Sequence, residues 1–464
     1  MDSPFPNAAD ARDADALGTP GIGIVTPGAV ARHGGVRRES ALGWLVAGVG
    51  ALAGAVVILA LTLPHLGDAA PAAQGAPPSP SATPPASPVP PSPSVTPTPE
   101  VPTVSFTLVA AGDVLIHQPV TASATHGGVI DYAPLMAAVQ PYIEGADLAL
   151  CHMEVPVAPA GTAPSGYPMF GAPAEIVRDL ALGGWDGCST ASNHSVDRKF
   201  AGITTTLDLF DSYGLGFAGT ARTEQEAQHT QFYDVRTGDR VIRVANIAFT
   251  YGLNGLPVPA EAPWSVNLFN ADAADATPII AAAQAARDQG ADVVVASVHC
   301  CVEYRTAPTD AQASIVSQIG ASGLVDLYIG HHAHVPQPIE LIPGGPSGTG
   351  MWAAYGLGNY LSNQDAACCV ANTDSGVILT ATIAVDPDDA VSVGVEWTPV
   401  TVDRRSHHTM HVLTDIPEGT ATLSAGEVST RLGRVTDAVG GAAPLRTTPA
   451  TRLADEAYRE ARIP

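Results

Sequence analysis

The chain has 464 residues, of which 21 are basic and 45 acidic, so its formal net charge is −24. Nucleic acid is excluded as a partner, because DNA and RNA are bound by clustered Lys and Arg and Lys199 is the only lysine here. The same negative charge disfavours an anionic substrate unless a local cation, such as a bound metal ion, offsets it.

The N-terminal part of the chain is not typical of a globular domain. Residues 1–40 are rich in Ala, Gly and Asp without clear periodicity, which predicts a disordered cytoplasmic tail. Residues 41–63, "ALGWLVAGVGALAGAVVILALTL", carry no charge and are long enough to cross a bilayer core as one transmembrane helix. Residues 64–103 are rich in Pro, Ser and Thr, which is typical of an extended linker.

The flanks of the apolar stretch predict its orientation. Arg32, Arg37 and Arg38 precede it and no basic residue follows for a long way, so we expect a cytoplasmic N terminus. A signal peptide cleaved near the small residues at 69–76 is the alternative. The stretch exceeds the usual apolar region of a signal peptide, which is about 7–15 residues, and this favours an uncleaved anchor. We therefore expect a single-pass protein of the cell membrane with an extracellular C-terminal domain.

All six cysteines follow the apolar stretch, and by this topology they lie in an oxidising compartment. They are Cys151, Cys188, Cys300, Cys301, Cys368 and Cys369. The two adjacent pairs suggest one or two bridges between distant loops, because adjacent cysteines bond each other only with strain. Thiolate ligation of zinc is a second interpretation, disfavoured because no CxxC spacing is present.

From about residue 104 short apolar runs alternate with helical patterns. In chain order they are 104–117, 146–157, 184–214 (a strand, a polar loop and a helix that ends at Gly214), 240–252, 277–304 (a helix followed by a buried strand), 323–335 and 351–361. Strands that alternate with helices predict an α/β fold whose crossovers cover both faces of the sheet.

Polar side chains with metal-binding or proton-transfer chemistry follow most of these strands. Loops after the carboxyl ends of strands converge in such folds, so we expect these side chains to meet although they are distant in sequence. In an extended backbone, His332 and His334 would direct both imidazoles to one face. The converging set is Asp113, Glu154, Asn193, His194, His299, His332 and His334.

Residues from about 105 to 365 resemble the CapA family of bacterial capsule and poly-γ-glutamate synthesis proteins, whose fold is similar to that of calcineurin-like metallophosphoesterases. The matching blocks are "AAGDVLI", "DLALCHMEVPV", "GWDGCSTASNHSVDRKFAGITTTLDLFDSYGLGFAGT", "VVVASVHCCVEYRTAPTDAQ", "GLVDLYIGHHAHVPQPIEL" and "AAYGLGNYLSNQ". The resemblance implies a sandwich of mixed β-sheets flanked by helices over residues 104–400, with a C-terminal extension at 401–464.

The resemblance also implies a dinuclear centre of Mn, Zn or Fe. Its ligands would be Asp113, Glu154, Asn193, His299, His332 and His334. His194 would act near the leaving group and Glu303 beside the centre, as the catalytic pair. Such a centre would bind phosphate and lower the pKa of a bridging water.

The chain departs from the family pattern at several positions. Leu115 stands where an Asp-x-His motif would place its imidazole, and His152 stands where an Asn commonly precedes the Glu by two residues. Cys300 and Cys301 follow His299, which suggests that this loop is tied to Cys368 or Cys369.

Three functions fit these patterns. The first is a membrane-anchored, extracellular CapA-like protein in the synthesis, export or anchoring of a surface polymer, with other capsule-synthesis membrane proteins as partners. The second is an extracellular metal-dependent phosphoesterase, and the third a non-catalytic module that binds the polymer or its phosphate-linked precursor. In the tail, His407, His408 and His411 are interpreted as surface or packing residues, and the charge spacing of the last segment predicts an exposed helix.

Overall fold

The computed structural model describes residues 102–459. The predicted tail at 1–40, the anchor at 41–63 and nearly all of the linker at 64–103 lie outside this range. Within residues 102–459, no helix combines the length and the apolar character that crossing a membrane requires.

Helices and strands alternate over the first two thirds of the described chain. The helices are α1 (Gln118–Ser123), α2 (Ala133–Met136), α3 (Gln140–Glu144), α4 (Glu175–Leu182), α5 (Lys199–Tyr213), α6 (Glu224–Ala227), α7 (Thr277–Asp288), α8 (Asp310–Ser322) and α9 (Ala425–Val439). As the sequence predicts, α5 ends at a glycine, because Gly214 takes the left-handed conformation (φ 78°) that stops a helix.

Two mixed β-sheets organise residues 102–459. The first has the order β16-β15-β14-β1-β4-β5-β6 with β13 also paired to β1, and the second the order β11-β12-β10-β9-β8-β7-β17. The strands of the first sheet are β1 (Val104–Val114), β4 (Leu148–Met153), β5 (Gly187–Ser189), β6 (Gly216–Ala218), β13 (Asn359–Leu361), β14 (Ser375–Val385), β15 (Val391–Asp403) and β16 (Thr409–Val412). The strands of the second are β7 (Gln231–Thr237), β8 (Arg240–Thr250), β9 (Val293–His299), β10 (Leu327–His331), β11 (Ile339–Ile342), β12 (Met351–Ala354) and β17 (Glu456–Arg459), while β2 (Thr125–His126) and β3 (Val129–Ile130) form a small hairpin.

The two sheets pack face to face, and helices cover their outer faces. Along β1, Phe106 and Leu108 belong to the core between the sheets, whereas Val109 belongs to the core under the helices of the first sheet. This alternation is the period of two that a strand imposes on its side chains. Helices α7 and α8 bury their apolar residues on the second sheet. The predicted α/β sandwich of mixed sheets flanked by helices is therefore confirmed.

Two glycines allow the backbone to approach closely beside the strand ends that carry polar residues. A Cβ on Gly112 would overlap the carbonyl oxygen of Gly358, and a Cβ on Gly330 would overlap that of Tyr355. Gly112 precedes Asp113, whose backbone N–H donates to Gly358 O at 2.9 Å. Because neither glycine has a Cβ, each backbone can approach this closely, and the close contact sets the positions of Asp113 and His331.

The chain after residue 400 packs on the sandwich. Strand β16 extends the first sheet, and the amphipathic helix α9 begins at a capping box formed by Ser424 and Glu427. The predicted terminal helix is wrong for residues 456–459, which form β17 and pair antiparallel with the edge strand β7. An unpaired sheet edge offers backbone hydrogen bonds that outweigh the weak helical preference of a short charged segment.

The cysteine pairing differs from the expected bridges between loops. Cys151 is bonded to Cys188 on the neighbouring strand, Cys300 is bonded to Cys301, and Cys368 and Cys369 are free thiols. The prediction that the 300–301 loop is tied to Cys368 or Cys369 is therefore wrong. Strand register decides the first pair, because Cys151 and Cys188 are opposite each other on β4 and β5.

Candidate metal centre

The predicted polar residues converge where strands of both sheets end. Asp113 lies near the end of β1, Glu154 directly follows β4, and Asn193 and His194 lie in the loop after β5. His299 is the last residue of β9, while His332 and His334 follow β10. Parallel strands place their carboxyl ends on one edge, so the two sheets together surround one buried cluster.

The carboxylate of Asp113 lies between two imidazoles. Its oxygens are 3.3 Å from His331 Nδ1 and 2.9 Å from His334 Nδ1. Burial acts to raise the pKa of Asp113, but His331 and His334 outweigh it and hold that pKa below its usual range. Asp113 is therefore ionised, as a metal ligand must be.

Glu154 is buried with only a distant charge partner, His334 Nε2 at 3.7 Å from its Oε1. The residue is 1% exposed, and neither carboxylate oxygen has a hydrogen-bond partner among the described residues. Burial, together with the negative charge of Asp113, raises the pKa of Glu154 well above its ordinary value, against the attraction of His334. A bound cation would supply the missing partner and restore the charged form.

The histidine turn is not extended. His332 and His334 have φ values of 81° and 57°, in the left-handed region that histidine visits more readily than most side chains. The turn nevertheless brings both imidazoles together with Glu303, so that one ligand atom from each lies within 4.8 Å of the others. Burial lowers the pKa of His332 to about 3. Burial also acts on His334, but Glu154 and Asp113 outweigh it and raise its pKa to about 10.

The Asn-His pair occupies two different environments. Asn193 Oδ1 lies 3.0 Å from His299 Nε2, inside the cluster. His194 Nδ1 lies 2.7 Å from Asp197 Oδ2, outside the candidate metal groups of the described chain. The structure thus brings all six predicted metal ligands into the cluster. Of the two predicted catalytic residues, Glu303 lies among the candidate ligand groups and His194 lies at the edge of the cluster.

Three overlapping groups of side chains can hold a divalent cation. They are Asp113 with Glu154 and His334, Glu303 with His332 and His334, and Asp113 with His152 and His299. Both carboxylate oxygens of Glu154 are buried without a hydrogen-bond partner, and those of Asp113 lie beside the imidazoles of His331 and His334. Imidazole and carboxylate together suit Mn, Fe and Zn, so the residues present fit the metal that the resemblance implies.

Three residues of the cluster were not assigned from the sequence. His152 lies 2.9 Å from His299, His331 faces Asp113, and Asn359 Oδ1 lies 3.2 Å from His334 Nδ1. Asn359 also holds the turn by donating to the carbonyl oxygen of His334. The spacing of His152 and Glu154, which puts both on one face of a strand, was the signal that could have found His152.

A cavity of about 830 Å³ opens onto the cluster. Its lining includes the polar side chains of His194, Glu303 and His334 and the apolar side chains of Phe170 and Leu256. The described residues that line it include no Lys or Arg. An anionic substrate in this cavity would therefore need the metal for its charge.

The sequence of this chain was compared with protein-family models and with curated proteins. The family model "Bacterial capsule synthesis protein PGA_cap" matches residues 107–364. The chain is similar to the PGA biosynthesis protein CapA of Bacillus subtilis, at 28% identity over 177 residues that make up 38% of this chain and 42% of that protein. It is also similar to a probable polyglutamine synthesis accessory protein of Mycobacterium tuberculosis, at 23% identity over 220 residues, which is 47% of this chain and 56% of that one.

The chain spans about half the length of the curated relatives it matches. Among solved structures it is similar to the calcineurin-like phosphoesterase YfkN from Bacillus subtilis, with a TM-score of 0.36 and 14% identity, over 72% of this chain and 97% of that chain. The family model covers more than half of the sequence, including every predicted site residue. The chain therefore belongs to the bacterial capsule synthesis protein PGA_cap family.

Proposed function

We propose that this chain is a membrane-anchored, extracellular protein of capsule or poly-γ-glutamate synthesis, export or anchoring, and that it works through a metal-dependent, phosphoesterase-like centre. The observation that carries the proposal is the buried cluster of two carboxylates and several imidazoles at the strand ends of both sheets, within the residues that match the family. The names of the similar proteins support a role in polyglutamate synthesis.

The membrane anchor and the extracellular location rest on the sequence. Residues 41–63 are uncharged, and Arg32, Arg37 and Arg38 precede them. A reporter enzyme fused after residue 464 that is active only outside the cell would support this topology. A reporter active only in the cytoplasm would overturn it.

The chemistry follows from groups that the chain itself holds. When bound, a divalent metal lowers the pKa of a coordinated water and offsets the charge of a phosphate. Asp197 holds His194 through Nδ1 at 2.7 Å, which orients the imidazole at the wall of the cavity. When the ring carries a proton on both nitrogens, Nε2 can give its proton to a leaving-group oxygen and the ring becomes neutral. Glu303 lines the same cavity and is partly exposed, so it can accept a proton from a substrate or from water.

A deletion and complementation experiment tests the proposed function. Deleting the gene in its host should reduce the amount or the attachment of the surface polymer. The wild-type gene should restore the polymer, whereas Asp113→Asn and Glu154→Gln should not, at equal protein level. A deletion strain whose polymer is unchanged in amount and attachment would rule out this function.

A metal-dependent phosphoesterase that acts outside capsule synthesis is the second candidate, favoured by the His194–Asp197 pair beside the cluster. Hydrolysis of a panel of phosphate esters by the purified chain with Mn²⁺, Zn²⁺ or Fe²⁺ would support it. Metal binding without hydrolysis would instead favour a module that holds the polymer or its phosphate-linked precursor.

A further inference from the structure

We propose that His152 is a metal ligand, which with Asp113 and His299 forms a nitrogen-rich position of the centre. This inference rests on the metal centre of the proposed function and deepens it by assigning a ligand and the class of metal. It depends on the register of two strands, on the partners of two imidazoles and on the burial of the group.

Strand register places His152 next to Asp113. The two residues are opposite each other on the parallel strands β1 and β4, and a register irregularity between Ala110 and Asp113 precedes this pair. His152 is also opposite Ser189 on β5. Both His152 and His299 are 0% exposed, so the group is closed to bulk water.

The outer nitrogens of the two imidazoles already have hydrogen-bond partners whose oxygens can accept a ring N–H. His152 Nδ1 lies 2.7 Å from Ser189 Oγ, and His299 Nε2 lies 3.0 Å from Asn193 Oδ1. Metal-binding histidines regularly donate the ring N–H that does not face the metal to such an acceptor, which fixes their tautomer.

In the tautomers in which both outer nitrogens donate, the two inner nitrogens carry the lone pairs that a metal needs. His152 Nε2 and His299 Nδ1 then face each other at 2.9 Å in a dry environment. A cation that lies against both would offset the repulsion of two lone pairs at this distance, and one carboxylate oxygen of Asp113 lies within 4.8 Å of a ring nitrogen of each imidazole. His331 stacks on His152 with ring centroids 4.0 Å apart, which keeps the imidazole in this orientation.

The nearest imidazole along the chain from Asp113 does not serve this role. His117 Nδ1 instead lies 3.0 Å from the carbonyl oxygen of Leu115, and His117 belongs to none of the candidate groups among residues 102–459. Two imidazoles and one carboxylate favour Zn²⁺, Fe²⁺ or Co²⁺ over Mg²⁺. The group with Glu154, in contrast, offers two carboxylates and one imidazole.

Metal titration of the purified, chelator-stripped full chain tests the inference, with Zn²⁺ and Co²⁺ as probes. Stoichiometry comes from elemental analysis, affinity from calorimetry, and ligand type from the visible spectrum of bound Co²⁺. His152→Asn should lower the affinity for one metal equivalent by more than ~100-fold. This exceeds the roughly 10–100-fold loss of affinity expected for a residue that only orients a ligand. The Co²⁺ absorption of that site should change as well.

Two further variants keep the test decisive. Ser189→Ala removes only the partner of His152 Nδ1, so it should lower the affinity by about 10–100-fold and keep the stoichiometry. His126→Asn makes the same exchange at an exposed position of the β2–β3 hairpin and should change nothing. If His152→Asn is shown by circular dichroism to be unfolded, Ser189→Ala decides, since unaltered affinity there would overturn the inference.

The possible failures are distinguishable. If His152→Asn binds metal with wild-type stoichiometry, affinity and Co²⁺ spectrum, the two imidazoles share a proton and the inference is wrong, while the proposed centre stands. If the wild-type chain binds neither metal, the centre and the inference are both wrong. The role in polymer synthesis is then still judged by the deletion strain.

Discussion

His408 is a buried residue outside the metal cluster that connects three distant segments. Its Nδ1 lies 2.7 Å from Ser123 Oγ, and its Nε2 lies 2.8 Å from Asn363 Oδ1. Asn363 lines the cavity, so His408 fixes part of the cavity wall. The interpretation of the tail histidines as surface or packing residues fits His408 as a packing residue, which is 5% exposed.

Acid should destabilise the protein through His408. Burial, and then the nearby Arg404, lower the pKa of His408 from 6.5 to about 4. Between these two pH values the unfolded chain binds more protons than the folded one. The stability that neutral His408 contributes is therefore present above pH 6.5 and is lost as pH falls toward 4.

The variant His408→Asn removes this titration and keeps a residue that tolerates the left-handed backbone there, φ 57°. We expect it to lower stability at pH 7 by about 1 kcal/mol, the worth of a buried hydrogen bond. The loss of stability between pH 7 and pH 5, measured by urea unfolding, should be smaller than in the wild type. Equal losses in both proteins would contradict the assignment, and His126→Asn is the exposed control.

At the scale of elements, the site depends on how closely strands approach one another. Gly330 lies on β10 directly before His331, and a Cβ there would overlap the carbonyl oxygen of Tyr355. Strand β10 therefore reaches its position beside the segment after β12 only because residue 330 has no side chain. The distances between His331, the histidine turn and the rest of the cluster therefore depend on this contact.

Gly330→Ala should therefore destabilise the chain by about 1–3 kcal/mol, as overpacking of a rigid core does. It should also weaken metal binding, because His331 and the turn that follows would shift. Gly433→Ala is the matched control, since Gly433 is an exposed helical position of α9 with open space at its Cβ. That exchange should stabilise by about 0.5–1 kcal/mol. Thermal unfolding of both variants measures the contrast, and equal shifts would show that the close approach is not rigid.

At the scale of the whole molecule, the alternation of strands and helices predicted an α/β fold and the edge where the site lies, while the sandwich of mixed sheets was implied by the family resemblance. Residues such as Asp113 and His299 could be assigned because a strand end is visible in the sequence as an apolar run followed by a polar group. The Cys151–Cys188 pair and the contact between His152 and Asp113 could not be assigned, because each depends on the register between neighbouring strands. Register is set by packing and by bulges, which leave no local pattern.

The centre joins the two sheets, since Asp113 and Glu154 come from the first and His299 and His334 from the second. A metal ion bound there would connect the sheets at one end of the sandwich and would bind only the folded chain. We therefore expect chelation to lower stability by about 2.7 kcal/mol when the metal was present at 100 times its dissociation constant.

Thermal unfolding with and without chelator measures this effect, and hydrogen exchange locates it. Amides at the ends of β1 and of β10 should lose protection together when metal is removed, because the same ion constrains both sheets. A His332→Ala, His334→Ala double variant, which lacks both imidazoles of the turn, should respond much less to the chelator. If the double variant and the wild type lose the same stability on chelation, the metal that stabilises the protein does not depend on the imidazoles of the turn, and the groups that contain His334 are not its site.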